Sequence, residues 1–97
     1  MDPRHLSLRQ LEVLKAVVDA GSMARAAQRL FMTGPAITQQ IQQLEKTLGV
    51  PAFDRIGRRV QLTSEGEDLL RQARRLLMDV ESLGERARAL KTGQTGV

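Results

Sequence analysis

The sequence is poor in the residues that usually carry catalysis or bind metals. It contains no cysteine and a single histidine, His5, so disulfides, thiolate sites and zinc motifs with paired ligands are excluded. It also contains no glycine-rich phosphate loop and no pair of carboxylates with an evident pocket around them. We therefore expect no catalytic residue, no metal and no cofactor, and we do not expect an enzyme.

The chain also lacks a long apolar run. No segment approaches the roughly 20 apolar residues of a membrane span, and the N-terminus has no signal-peptide core. These absences predict a cytoplasmic protein without a membrane partner. The 97 residues fit one domain, and 41% hydrophobic with 27% charged residues is typical of a folded chain rather than a disordered one.

The composition is instead rich in positive charge. Fifteen lysines and arginines stand against eleven acidic residues, for a net charge of +4, and only three of the basic residues are lysine. Arginine is the better bidentate ligand for phosphate. The charge balance therefore favours a polyanionic partner.

An amphipathic helix is predicted over residues 36–48, AITQQIQQLEKTL. Its apolar residues recur four, three and four positions apart and so share one face: Ile37, Ile41, Leu44 and Leu48. The opposite face carries amides and one cation: Gln39, Gln42, Gln43 and Lys46, with Thr38 at its edge. Glutamine donates and accepts at once, which suits the edges of bases, for instance adenine. A solvated amphipathic helix without a ligand is the alternative interpretation.

A short helix and a tight turn precede this helix. Ser22 can cap the short helix, which runs to about Leu30, and Thr33, Gly34 and Pro35 then make the turn. A short helix, a tight turn and a longer helix with a polar outer face predict a helix-turn-helix, whose second helix enters the major groove. Ser22 and Thr33 could hold phosphates as well as cap, although capping alone would also explain them.

The first helix is predicted to be scaffold. Ser7 and Gln10 form a capping box at its start, and Gly21 is a natural stop. We expect its buried face to consist of Leu8, Leu11, Leu14, Val17 and Val18.

Residues 52–62 predict a β-hairpin with its turn near Gly57. Phe53, Val60 and Leu62 can anchor it to the core. Three arginines then project from it: Arg55, Arg58 and Arg59. Contact with phosphates or the minor groove would use this charge, and a solvated charged turn is the alternative.

A long helix follows, from about Thr63 to Leu90. Ser64 and Glu67 predict a capping box at its start. Apolar residues then repeat four and three positions apart: Leu69, Ala73, Leu76, Val80, Leu83, Ala87 and Leu90. This heptad pattern, called the seam below, is typical of a coiled coil and predicts a partner helix. Packing within one chain is the alternative.

One ungapped pattern runs from about residue 6 to residue 66 and continues into the long helix. It consists of Ser22, Ala26–Ala27, Leu30, Thr33–Thr38 (TGPAIT), Ile41, Leu44–Glu45, Leu48–Gly49, Phe53, Arg55, Arg58, Leu62–Thr63 and Gly66. The pattern resembles the N-terminal domain of LysR-type transcriptional regulators. The resemblance implies a mainly α fold: a winged helix-turn-helix of three helices and a short β-hairpin wing, followed by a long C-terminal dimerisation helix.

The resemblance also implies which residues face bacterial promoter DNA. They are Thr33, Pro35, Ala36, Thr38, Gln39 and Gln42 around the reading helix, with Arg55 and Arg58 on the wing. The family often carries glutamine where this chain has Gly34, and leucine where it has Ala52. Gly34 therefore bears on which DNA sequence is preferred rather than on whether DNA is bound.

We expect a DNA-binding domain over residues 6–63, with the helix-turn-helix at about 23–48 and the wing at about 52–62. A dimerisation helix over 64–91 and a flexible end over 92–97 would follow. A dimer would read an imperfect inverted repeat of double-stranded DNA. In the family a larger domain follows that binds a small-molecule effector, so an effector is expected only outside this chain. A helical interaction module without DNA binding, or another type of winged-helix regulator, remains as an alternative.

Overall fold

The computed structural model of the chain describes residues 3–56 and 59–93, with side chains for 4–54 and 60–93. A short 3₁₀ turn precedes three helices, a two-stranded hairpin and a long helix. In chain order these are Pro3–His5, α1 Leu8–Ala20, α2 Met23–Leu30, α3 Gly34–Leu48, β1 Phe53–Ile56, β2 Arg59–Leu62 and α4 Ser64–Thr92. The predicted mainly α, winged helix-turn-helix architecture with a long C-terminal helix is confirmed.

The core lies where α1, α2 and α3 cross. Small residues bring α2 close to its neighbours, since Ala26 and Ala27 are both buried. The largest fully buried side chains come from α1 and α3: Val13, Leu14, Val17, Ile37, Ile41 and Leu44. The apolar face of α3 is therefore the one that the spacing predicted, and its polar face points outward.

Helix α1 begins and ends where predicted, but its buried face is rotated relative to the predicted one. Ser7 Oγ accepts from the Gln10 N–H at 3.2 Å, and Gln10 Oε1 accepts from the Ser7 N–H at 3.1 Å, which confirms the capping box. The inclusion of Leu8 in the buried face was wrong, because its side chain is 46% exposed, whereas Val13 is buried. At about 100° per residue the buried arc is centred between Leu14 and Val17, which includes Val13 and leaves Leu8 out.

The hairpin forms the predicted wing. β1 and β2 are antiparallel, with Phe53 opposite Leu62 and Arg55 opposite Val60. Phe53 is buried, and Val60 and Leu62 pack against the core as half-buried residues, which confirms the three anchors. The predicted turn at Gly57 lies outside the described residues.

The N-cap of helix α4 lies one residue earlier than predicted. The N-cap is Thr63, whose Oγ1 accepts from the Gly66 N–H at 2.8 Å, so the capping box of Ser64 and Glu67 was wrong. The hydroxyl of Thr63 also donates to the Pro51 carbonyl at 2.6 Å. A buried hydroxyl that bonds on both sides is satisfied, whereas Ser64 is exposed at the surface.

Gly66 lets α4 rest directly on the chain that connects α3 to the wing. A Cβ at this position would lie 2.9 Å from both the Ala52 carbonyl carbon and Leu62 Cδ2, and closer still to the Ala52 carbonyl oxygen. No side chain fits there without movement of backbone. The root of α4, which we define as Thr63–Gly66 with the segment Pro51–Ala52, is therefore tightly packed.

Beyond its root, α4 gradually leaves the body. Leu70 and Ala73 are buried, whereas Leu76, Val80, Leu83 and Leu90 are 42–69% exposed. Ala73 is thus buried within its own chain. Its predicted place in the seam between two chains is therefore corrected to the core of one chain. No helix in the described part of the chain is long and apolar enough to cross a membrane.

An ion cluster joins α4 to α1 at the surface. Arg74 Nη2 lies 2.8 Å from Asp19 Oδ1, and Lys15 Nζ lies 3.2 Å from Asp19 Oδ2. The hydrogen bond from Arg74, assisted by Lys15, lowers the pKa of the Asp19 carboxyl below its ordinary value. The carboxylate is therefore charged at neutral pH and links the two helices.

Candidate nucleic-acid interface

The outward face of α3 is a continuous row of amides. Ile37, Ile41 and Leu44 fix the helix against the core, so residues on the opposite side cannot fold inward. Gln39, Gln42 and Gln43 are all exposed, as is Lys46. Within the described part of the chain these three glutamine side chains bond to no other group, so their donors and acceptors face outward and can bind a ligand.

The two serine and threonine caps are present as predicted. Ser22 Oγ accepts from the Arg25 N–H at 3.1 Å, and Thr33 Oγ1 accepts from the Ala36 N–H at 3.2 Å. Capping therefore explains both residues structurally. Each hydroxyl still has its own hydrogen to donate, and Thr33 is exposed, so capping does not use up the capacity to hold a phosphate.

The first turn of α3 presents small groups rather than long side chains. Gly34 and Pro35 are exposed, and Ala36 and Thr38 are half-buried beside them. Nothing lies within 4 Å of the position that a Gly34 Cβ would take. A ligand can therefore approach the backbone closely at this end of the helix.

Glu45, which the sequence showed only as part of the family pattern, fixes the wing relative to α3. Glu45 Oε2 accepts from the Ala52 N–H at 2.8 Å and from the Phe53 N–H at 3.3 Å. These bonds connect the last turns of α3 to the first residue of β1. The available signal was a glutamate just before the reversal at Gly49 and Pro51, where free backbone N–H groups need an acceptor.

The structure leaves the wing arginines as predictions. The backbone of Arg55 lies in β1, but its side chain is outside the description, and Arg58 lies wholly outside the described residues. Two other cations were missed. Arg25 and Arg29 are exposed on α2, one turn apart on the same face, and form no ion pair within the described part of the chain.

The described residues contain no group of three or more His, Cys, Asp or Glu side chains that could hold a metal ion.

An open groove of about 340 Å³ runs between α1 and α4. Its lining is mainly aliphatic, namely Leu8, Ala16, Leu30, Leu77 and Val80, with Glu12, Lys15 and Glu81 at its edges. A groove of this chemistry fits an apolar helix better than a polar substrate.

Comparison with known proteins gives a consistent assignment. A family model described as bacterial regulatory helix-turn-helix protein, lysR family, matches residues 8–67. The chain is 42% identical over 90 residues to a probable RuBisCO transcriptional regulator of Guillardia theta, covering 93% of the chain and 29% of that protein. It is 40% identical over 91 residues to the HTH-type transcriptional regulator TfdT of Cupriavidus pinatubonensis, covering 94% and 40%. The chain thus spans well under half the length of these curated relatives.

Solved structures resemble the chain over almost its whole length. The crystal structure of a CbnR_DBD–DNA complex gives a TM-score of 0.83 at 44% identity and covers 88% of this chain and 98% of that one. The crystal structure of a BenM_DBD/catB site 1 DNA complex gives 0.88 at 32% identity, covering 92% and 96%. Both similarities include the winged helix-turn-helix and much of α4.

Proposed function

The chain belongs to the lysR family of bacterial regulatory helix-turn-helix proteins, and on that premise we propose that it binds double-stranded promoter DNA in a sequence-specific way. The observation that carries the proposal is the exposed amide face of α3, whose glutamines have no partner among the described residues. Glutamines on a helix that enters the major groove can bond to base edges. The two structures of DNA complexes that resemble the chain support the same mode of binding.

The proposed contacts fall into two groups, those that read bases and those that hold the DNA backbone. We assign base reading to Gln39 and Gln42, and contact with a thymine methyl to Pro35 and Ala36. Phosphates would be held by the hydroxyls and by the wing arginines, namely Ser22, Thr33, Thr38, Arg55 and Arg58. Gly34 takes part through its backbone, because no side chain there keeps the DNA at a distance.

We further propose that the chain binds as a homodimer through α4. The apolar residues Leu76, Val80, Leu83 and Leu90 stand exposed on a single chain, and burying them needs a partner helix. The groove between α1 and α4 extends this apolar surface onto the body. Pairing two copies places two reading helices at a fixed separation, so the DNA site is an imperfect inverted repeat.

Catalysis forms no part of the proposal. The family comprises transcriptional regulators, and the chemistry assigned to this chain is reversible binding to DNA. A cytoplasmic location follows for a bacterial protein whose ligand is chromosomal DNA.

Fluorescence anisotropy with a salt titration tests the proposed function. The probes are a promoter-derived inverted repeat and a scrambled duplex of the same length. We expect tighter binding to the repeat and a steep fall of log affinity with log salt concentration, as released counterions require. Absence of binding to both duplexes at low salt would contradict the proposal and favour a helical interaction module instead.

The contribution of Gln39 can be measured separately. Gln39→Ala is expected to cost about 1–3 kcal/mol on the preferred site and less on random DNA, because only a matched base edge uses both functions of the amide. Anisotropy on both duplexes gives the two losses. Gln72→Ala, which removes an exposed amide from α4, is the matched control and is expected to bind like the wild type. Equal losses on both duplexes would mean that Gln39 reads no base.

A further inference from the structure

Phe31 combines two unusual properties. It ends α2 with φ +54° and ψ +44°, and it is the only non-glycine residue with positive φ in the described part of the chain. Its side chain is 96% exposed, whereas the chain's other phenylalanine, Phe53, is buried in the core. A bulky residue in the left-handed region is a genuine outlier, and an exposed aromatic ring gains nothing from folding.

The turn itself explains the conformation but not the side chain. The Met32 N–H bonds to the Ala27 carbonyl at 2.9 Å, and the Phe31 N–H bonds to the Gln28 carbonyl at 3.4 Å. These bonds close the end of α2 and need a left-handed residue, for which glycine or asparagine is better suited. Leu30 and Met32 on either side pack against the core, so Phe31 is the residue that points away from it.

The position of Phe31 brings it beside the face proposed to bind DNA. It lies three residues before Gly34, so its Cα is within about 11 Å of the first residue of α3. Thr33, Gly34 and Pro35 are exposed like Phe31 itself. A ligand as large as a DNA duplex that contacts the N-terminus of α3 can therefore also reach the ring.

The charge around this surface identifies the kind of partner. Between Asp19 and Glu45 the sequence contains no acidic residue, and it contains Arg25 and Arg29. A segment that carries cations and no carboxylates attracts a polyanion rather than a basic protein segment. DNA also offers apolar groups at close range, because thymine methyls and deoxyriboses line its grooves.

We propose that the Phe31 ring contacts DNA next to the bases read by α3, through the apolar surface of a thymine methyl or a deoxyribose. This inference rests on the proposed function and adds a residue to it. The left-handed turn places the ring outside the core, where it can pack against a bound duplex. The Phe31 ring therefore acts as a binding group and packs against almost nothing in the folded monomer.

Two variants separate binding from folding. Phe31→Asn suits the left-handed conformation and removes the ring, so its thermal midpoint should equal or exceed that of the wild type. Its affinity for the specific duplex should fall about fivefold, the loss expected for one apolar contact. Phe31→Leu keeps apolar bulk and should lose less. Met78→Asn, the same type of change at an exposed site on α4, should bind DNA like the wild type.

Duplexes in which deoxyuridine replaces one thymine at a time identify the atom that is touched. If the ring meets a methyl, removing that methyl weakens binding of the wild type but not of Phe31→Asn, whereas removing a methyl met by Pro35 or Ala36 weakens both proteins. If it meets a sugar, the fivefold loss of Phe31→Asn persists on every such duplex. Wild-type affinity in a stable Phe31→Asn variant would overturn this inference and leave the proposed function intact. Failure of the wild type itself to bind any duplex would overturn both.

Discussion

Replacing Gly66 by alanine is expected to lower the free energy of unfolding by about 3 kcal/mol, the upper end for overpacking a close-packed site. The new methyl group would overlap the Ala52 carbonyl and crowd Leu62, so backbone would have to move. The displaced segment also holds the carbonyls that bond to the Thr63 hydroxyl. The substitution would therefore disturb packing and hydrogen bonding together.

Urea denaturation followed by circular dichroism measures this effect, at one fixed protein concentration because dimerisation contributes to stability. Gly84→Ala is the matched control. It lies in the middle of α4 with nothing within 4 Å of its added Cβ, so it should raise stability by about 0.5–1 kcal/mol. A Gly66→Ala protein within 1 kcal/mol of the wild type would show that the root of α4 is less tightly constrained than it looks.

Leu76→Glu is expected to convert the proposed dimer into a monomer and to weaken DNA binding by roughly a hundredfold. Leu76 is half exposed on one chain, and in the dimer a glutamate there would place its charge inside an apolar seam. Losing the partner removes the advantage of binding two half-sites at once, which accounts for the size of the expected loss. Sedimentation velocity measures the oligomeric state, and anisotropy on the inverted repeat measures the affinity.

Met78→Glu provides the matched control for this variant. It introduces the same charge on the same helix at a residue that is 66% exposed and lies on the side away from the seam. It should stay dimeric and bind DNA as the wild type does. An unchanged dimer for Leu76→Glu would remove α4 from the proposed interface.

Features that depend on periodicity could be predicted from the sequence. The four-three spacing in α3 decides which face is buried, and a helix fixed on that face must expose the other one. The hairpin anchors followed in the same way from the alternation of Phe53, Val60 and Leu62 with polar or charged residues. The local caps at Ser7, Ser22 and Thr33 were also predictable, because each bond is made within one turn of chain.

Features that depend on contacts distant in sequence could not be predicted. Ser64 and Thr63 are equally good caps locally, and the choice was decided by the Pro51 carbonyl, which reaches the Thr63 hydroxyl only in the folded chain. The role of Glu45 likewise needs the reversal that brings the Ala52 N–H to it. The exposure of Phe31 depends on the turn closing with that residue left-handed, which phenylalanine gives no reason to expect.

The same distinction applies to the proposed DNA surface. The amide row on α3 follows from a helical repeat and so could be located from the sequence. Arg25 and Arg29 could be identified in the sequence as cations. Their exposure on one face of α2 depends on how Ala26 and Ala27 pack against the core. The wing arginines remain predictions of the sequence alone.

The packing at the root of α4 limits how far this helix can tilt relative to the body. The helix has 29 residues, and at about 1.5 Å per residue it is roughly 43 Å long. A tilt of about 5° at Gly66 would move the far end of the helix, roughly 39 Å away at Thr92, by about 3.4 Å relative to the reading head, which equals the rise between base pairs. Tight packing at Gly66 would therefore fix the direction of α4 well enough for a dimer to hold its two reading helices at a separation defined to within one base pair.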